Sequence, residues 1–335
     1  MILASVSGCN RSEFITVFPS LLYALRANDS YTIFADETGA PHLVRIDDIS
    51  FSLGEIASVE ASLDDIAFAL YTRANPGGEA LILGDVESLR KSNWDPSRPT
   101  RIITHGWRGH GTTLSCTLPR DAYLEAGDYN VIVMDWSVIA NSLLYHRVAN
   151  SVPMVAQYLG LFIDFLDSDG QLNHDNTKLV GHSLGAHIVS LAANAARGFI
   201  SEVVALDPAK PRFEKVGPDG RVDASHAKHV QIIHTNAGTL GLTQQLGTSD
   251  FYPNGGSKQP GYSDRLYIFI EISRSYMYYS ESVRNPTGFP ATAVSRYQNI
   301  GPEADSVYMG GPTLDPTADG PYSLRTRSSP PYALG

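Results

Sequence analysis

Apolar positions along this chain fall into two alternating rhythms. Arg101–Thr104, Asn130–Met134, Thr177–Val180, Glu202–Leu206 and Val230–His234 are short, mostly apolar runs of the kind found in buried strands. Between them lie stretches with apolar residues at helical spacing. Ser151–Leu166 is one, with Ser151 as a plausible cap, and the run after Gly185 is another; Asp121–Ala126 reads as the end of a third helix. Strand, helix and strand repeating through Asp207 predict a parallel sheet wound by right-handed crossovers. Ile66–Thr72 adds a strand, stopped by Asn75-Pro-Gly-Gly. Residues 31–60 alternate apolar and polar positions around Asp36-Glu-Thr-Gly39, which predicts a hairpin or peripheral strands. Towards the end, a helix carrying Arg274 and Tyr276 should run to about Val283. Short strands at Val307–Tyr308 and Tyr322–Arg325 follow it.

The chemistry concentrates where one strand meets its helix. Gly181-His182-Ser183-Leu184-Gly185 is a G-x-S-x-G elbow, preceded by a strand, followed by a helix, with Asp207 closing the next strand. Its glycines allow a sharp turn that lifts Ser183 to the strand's C-terminal end. The helix dipole and the Leu184 N–H then face negative charge developing on an attacked carbonyl. In such a site Ser183 attacks, a histidine takes its proton, and Asp207 holds that histidine. The neighbouring His182 and His187 are expected to pack structurally, because the elbow points their side chains elsewhere. Asp135 should orient a neighbouring loop.

Composition narrows the partners. The 335 residues, 43% apolar and 18% charged, can fill a full core, as one large α/β domain or two smaller ones. A net charge of −10 argues against nucleic acid and gives no electrostatic pull to anionic membranes, so lipid contact would be hydrophobic. Two cysteines, Cys9 and Cys116, make no disulfide framework. Phe14–Leu25 has the length of a signal-peptide core after Arg11, although Glu13 and Pro19 spoil the pattern. Residues 1–30 are therefore a possible signal or disordered segment. Two glycosylation sequons, at Asn10 and Asn28, lie near the same end.

GHSLGAH followed by ALDPAKP resembles the animal pancreatic-type lipase family, which spans triacylglycerol lipases, phospholipases A1 and inactive yolk-protein relatives. FALYTRANP, PTRIITHGW, GDYNVIVMDW, VQIIHTNAGTLG, DFYPNGG and the ending SPPYALG extend the similarity from about Phe68 to the C-terminus. The resemblance implies an α/β-hydrolase fold, with a mostly parallel central sheet flanked by helices, as a single domain over 31–335. It implies no C-terminal lipid-binding sandwich domain and hence no colipase-like partner. It also implies secretion, lipid-ester chemistry, and Trp107 as the second oxyanion amide beside Leu184. The short loop from Leu240 to Asp250 looks like that of phospholipase A1-type members. In Phe213–Ala227, which matches a calcium loop of some members, Asp223 holds one aspartate position but His226 stands at the other. Neither a metal nor a cofactor is therefore expected.

One departure is decisive for chemistry. The family's histidine pattern lands on Ile270-Glu271-Ile272-Ser273-Arg274-Ser275-Tyr276, with Ile272 at the base position. Three readings stay open: a lipase-fold protein without catalysis that binds or stores lipid, a substitute base such as His226 or His229, or a stretch 261–272 that is a misassigned exon edge rather than native protein. His226 and His229 precede or begin a strand, the wrong end for Ser183. Glu281, further along the helix, is expected at the surface or in an ion pair.

Overall fold

The computed structural model describes residues 31–37, 40–45, 53–261, 267–294 and 307–335. The possible signal segment 1–30, with Cys9 and both sequons, lies outside them. Two strands, β1 (Tyr31–Ala35) and β2 (Pro41–Arg45), form an antiparallel hairpin, as the alternation around Asp36 suggested. The same alternation does not continue. Leu53–Leu63 is a helix, α1, whose Val59 and Leu63 pack half-buried against the core. Ile56, Val59 and Leu63 are three and four residues apart, so the helical period overrides the local polar–apolar alternation.

The strands that follow are β3 (Ala67–Tyr71), β4 (Glu79–Leu81), β5 (Thr100–Thr104), β6 (Asn130–Asp135), β7 (Thr177–His182), β8 (Glu202–Leu206), β9 (His229–Ile233), β10 (Ser249–Pro253), β11 (Pro290–Ala293), β12 (Val307–Tyr308) and β13 (Gly320–Leu324). Among the described residues they form one sheet in the order β12-β11-β13-β10-β9-β8-β7-β5-β6-β3-β4. The run from β13 to β6 is parallel, with antiparallel strands at both edges. Central strands β5 and β7 are buried at every position, which is why they read as continuous runs. This is the α/β-hydrolase fold. No described helix is long and apolar enough to cross a membrane.

Helices cover both faces. α2 (Val86–Lys91) starts at Asp85, whose carboxylate accepts from the Glu87 and Ser88 N–H groups. α3 (Leu114–Ala126) and α7 (Tyr267–Arg284) lie on one face, joined by a buried Tyr123–Tyr279 hydroxyl pair at 2.5 Å. The one-turn α4 (Ser137–Ala140), α5 (Tyr145–Gly170) and α6 (Leu184–Ala195) occupy the other. The crossover helix α5 begins at Tyr145, six residues before the expected cap. Ser151 instead sits buried within it, its hydroxyl donating to the Val148 carbonyl. Burial of Tyr145, Val148 and Ala149, at helical spacing, holds the extra turn in place.

At the sheet's opposite end, the fully buried Lys178 ammonium meets Glu202 at 2.9 Å and donates to the Gly311 and Pro312 carbonyls. Among the described residues Glu281 is tied into backbone and pairs with no cation. Its carboxylate accepts from Tyr332 N–H at 2.8 Å and Ala333 N–H at 2.7 Å, so it fastens the C-terminal segment to α7.

Candidate active site

The elbow between β7 and α6 is built by three close approaches. Ser183 has φ 56° and ψ −116°, a conformation that L residues rarely adopt and one that persists only where surroundings enforce it. A Cβ on Gly181 would collide with the Gly185 carbonyl, and one on Gly185 would stand 2.5 Å from the His105 carbonyl oxygen. Both glycines are therefore required by packing as well as by the turn. The His105-Gly106-Trp107 loop, leaving β5, lies directly against the serine: a Cβ on Gly106 would sit 2.7 Å from Ser183 Cβ.

Ser183 is 6% exposed, and among the described residues its hydroxyl makes no hydrogen bond. Its N–H donates to the Leu206 carbonyl at 3.0 Å, and its own carbonyl accepts from Ala209 N–H at 3.3 Å. These bonds stitch the elbow to the chain on both sides of Asp207. Asp207 itself has φ 46° and is buried. Its Oδ1 accepts from the N–H groups of Thr235 (3.1 Å) and Asn236 (2.9 Å) beyond β9. Burial raises the Asp207 carboxyl above its ordinary value, against the pull of those two bonds and of nearby His182 and His234.

Leu184 opens α6, so its N–H lacks an intrahelical acceptor. Neither that N–H nor the Trp107 N–H has an acceptor among the described residues. Trp107 is locked by its indole, which donates to the Ser142 carbonyl at 2.9 Å. Asp135 accepts from Gly111 N–H and Ser137 N–H, both at 2.9 Å, and faces His105 at 3.3 Å, fixing the loop after Trp107. Burial opposes ionisation of Asp135, but His105 and the two donors hold its carboxyl well below the ordinary range.

The histidines sort by position. His187 bonds the Ala209 carbonyl at 2.8 Å, accepts from Val222 N–H at 3.2 Å and stacks on Phe213. His226 is bonded to Ser190, and Asp223 accepts from the N–H and hydroxyl of Ser225. His229 pairs in register with Glu202, four residues back from the Leu206–Ile233 pair beside the elbow, so it lies roughly 13 Å along the sheet from Ser183. His234 is held on both ring nitrogens, by the Leu242 carbonyl at 2.9 Å and Asp250 at 2.8 Å. Ile272 lies in α7, and its side chain falls outside the described residues.

A residue outside every motif above reaches the centre of this arrangement. Glu37, just past β1, is buried with its Oε1 2.5 Å from Gly106 N and 2.7 Å from His182 Nδ1. A lone acid in a turn carries no sequence signal for a contact 145 residues away.

A family model described as Lipase matches residues 55–302. Pancreatic triacylglycerol lipase of Mus musculus is 34% identical over 254 residues, covering 69% of this chain and 54% of the relative. Inactive pancreatic lipase-related protein 1 of Homo sapiens is 32% identical over 279 residues, covering 75% and 59%. The chain spans about half the length of the curated relatives it matches. Among solved structures, the α/β-hydrolase MGS-M1 from a deep-sea metagenome library is 18% identical. It covers 64% of this chain and 73% of that chain at a TM-score of 0.32, too low to bear on the fold, which rests on the sheet order above.

Proposed function

The chain belongs to the lipase family, and from that premise we propose that its elbow is a serine ester-hydrolase site for lipid esters, of phospholipase A1 or acylglycerol lipase type. The observation that carries this reading is the strained Ser183 backbone at the β7–α6 junction, with the His105–Trp107 loop packed against it. Ser183 is the nucleophile. The Trp107 and Leu184 amides stabilise the oxyanion, and Asp207 orients the base. The finer choice of a phospholipid sn-1 ester rests on the short Leu240–Asp250 loop. Secretion and hydrophobic contact with a lipid–water interface belong to the same reading.

The acyl transfer needs a proton acceptor, since a serine hydroxyl is a weak nucleophile at neutral pH. Ile272 cannot accept a proton. Loss of the histidine from a serine triad costs about 10⁶ in turnover, and this favours a second reading, a non-catalytic lipid-binding or yolk-like protein on the same fold. A fluorophosphonate probe with peptide mapping separates them. Labelling of Ser183 in the wild-type chain supports catalysis. Labelling only in Ile272→His supports a silent site whose base has been lost, and labelling of neither folded protein refutes the assignment of Ser183.

A further inference from the structure

The β1–β2 hairpin folds back over the loop that borders Ser183. Phe34 meets the Trp107 ring edge-on at 5.6 Å and the Tyr145 ring at 4.7 Å. The His42 ring lies 5.2 Å from Trp107, and Arg108 reaches Asp36 at 3.5 Å. Glu37 goes deepest. Its carboxylate enters the angle between Gly106 N–H and the His182 ring, and that ring is backed edge-on by Tyr276 at 5.2 Å. Glu37 Oε1 and Ser183 Cβ lie equally close, 2.7 Å, to the point where a Gly106 Cβ would stand.

A buried carboxylate is costly unless its oxygens are bonded. Here one oxygen takes two donors, whereas Oε2 is buried with no hydrogen-bond partner among the described residues. Burial by itself raises the Glu37 carboxyl, but His182, Ser115 and His105 together outweigh it and hold the carboxyl below its ordinary value. The donors thus make a place for an anion, and the hairpin supplies that anion from within the chain. Lifting it would leave Gly106 N–H unpaired and uncover Trp107 and Tyr145, which offer an apolar lining.

We propose that the β1–β2 hairpin is an intramolecular occupant of the crevice beside Ser183, its Glu37 carboxylate filling an anion cradle made by Gly106 N–H and His182, and that a free carboxylate bearing an acyl chain displaces it. The cradle is distinct from the oxyanion amides of Trp107 and Leu184, and its occupancy does not depend on whether Ser183 turns over.

Hydrogen exchange on the full chain, titrated with dodecanoate below its micelle concentration, tests this. Saturating dodecanoate should raise exchange of the β1–β2 amides at least about tenfold, while β7 and β8 stay unchanged and Gly106 N–H stays protected. Glu37→Gln, of equal size but neutral, should bind dodecanoate at least about tenfold more tightly, because the tethered competitor is weakened. Unchanged hairpin exchange at saturation, equal affinity in the two proteins, or the same response to dodecanol would overturn the proposal. Should the variant fail to fold, the wild-type titration and its dodecanol control decide alone.

Discussion

Replacing Gly185 with alanine tests the packing that builds the elbow. The added Cβ would stand 2.5 Å from the His105 carbonyl oxygen and 3.0 Å from that of Thr104, both backbone atoms where β5 runs into the His105–Trp107 loop. Neither can rotate away, so β5 and α6 must separate by most of an ångström. Overpacking of this kind costs about 1–3 kcal/mol, with the upper end expected where only backbone can yield. The same shift moves Trp107 away from Ser183, and a misplacement near 1 Å costs about 10²-fold in rate. Gly54→Ala is the internal control: among the described residues nothing lies within 4 Å of a Cβ added there in helix α1, and alanine should stabilise by about 0.5–1 kcal/mol. Urea titration of both variants gives opposite signs if the reasoning holds. A Gly185→Ala midpoint equal to wild type, with labelling of Ser183 in the Ile272→His background unslowed, would refute it.

Two further outcomes follow from buried polar groups away from the elbow. Burial lowers the Lys178 ammonium to about 8 from 10.5, with Glu202 opposing and Arg101 assisting. Between those values the unfolded chain holds a proton that the folded chain has lost, so stability rises with pH, by up to about 1.4 kcal/mol per unit. Urea midpoints at pH 8 and 9.5 should show that rise in wild type and lose it in Lys178→Met; equal slopes would contradict the assignment. Tyr279→Phe removes the hydroxyl that pairs with buried Tyr123 and should cost about 1–3 kcal/mol by urea titration, with a midpoint unchanged from wild type as the refuting result.

The parts of the fold legible in the sequence were those fixed by local pattern. Thr177–Val180, Glu202–Leu206 and Asn130–Met134 are inner strands, buried at nearly every position, and a short, mostly apolar run is the mark of such a strand. The elbow was legible because strand, glycines, serine and helix must follow one another closely. Helix α1 was missed because a short amphipathic segment with Ser and Glu between its apolar positions looks alternating over any few residues. Ser151 looked like a cap, although tertiary burial extends its helix by six residues. Glu281 and Glu37 were opaque for a different reason: each is placed by chain segments dozens of residues away, Glu281 by the C-terminal strap and Glu37 by the Gly106 loop and His182. The proposed base position shows the converse. Sequence alone exposes Ile272, since no arrangement of neighbours gives an isoleucine a proton to exchange.

The most direct measurement is the rate of fluorophosphonate labelling in the Ile272→His chain, with the modified peptide sequenced. The account predicts covalent modification at Ser183, at least about 10³-fold faster than in wild type, and none after Ser183→Ala. A folded Ile272→His protein that labels no faster than wild type, or at any other serine, would contradict the claim that this elbow is a nucleophile site.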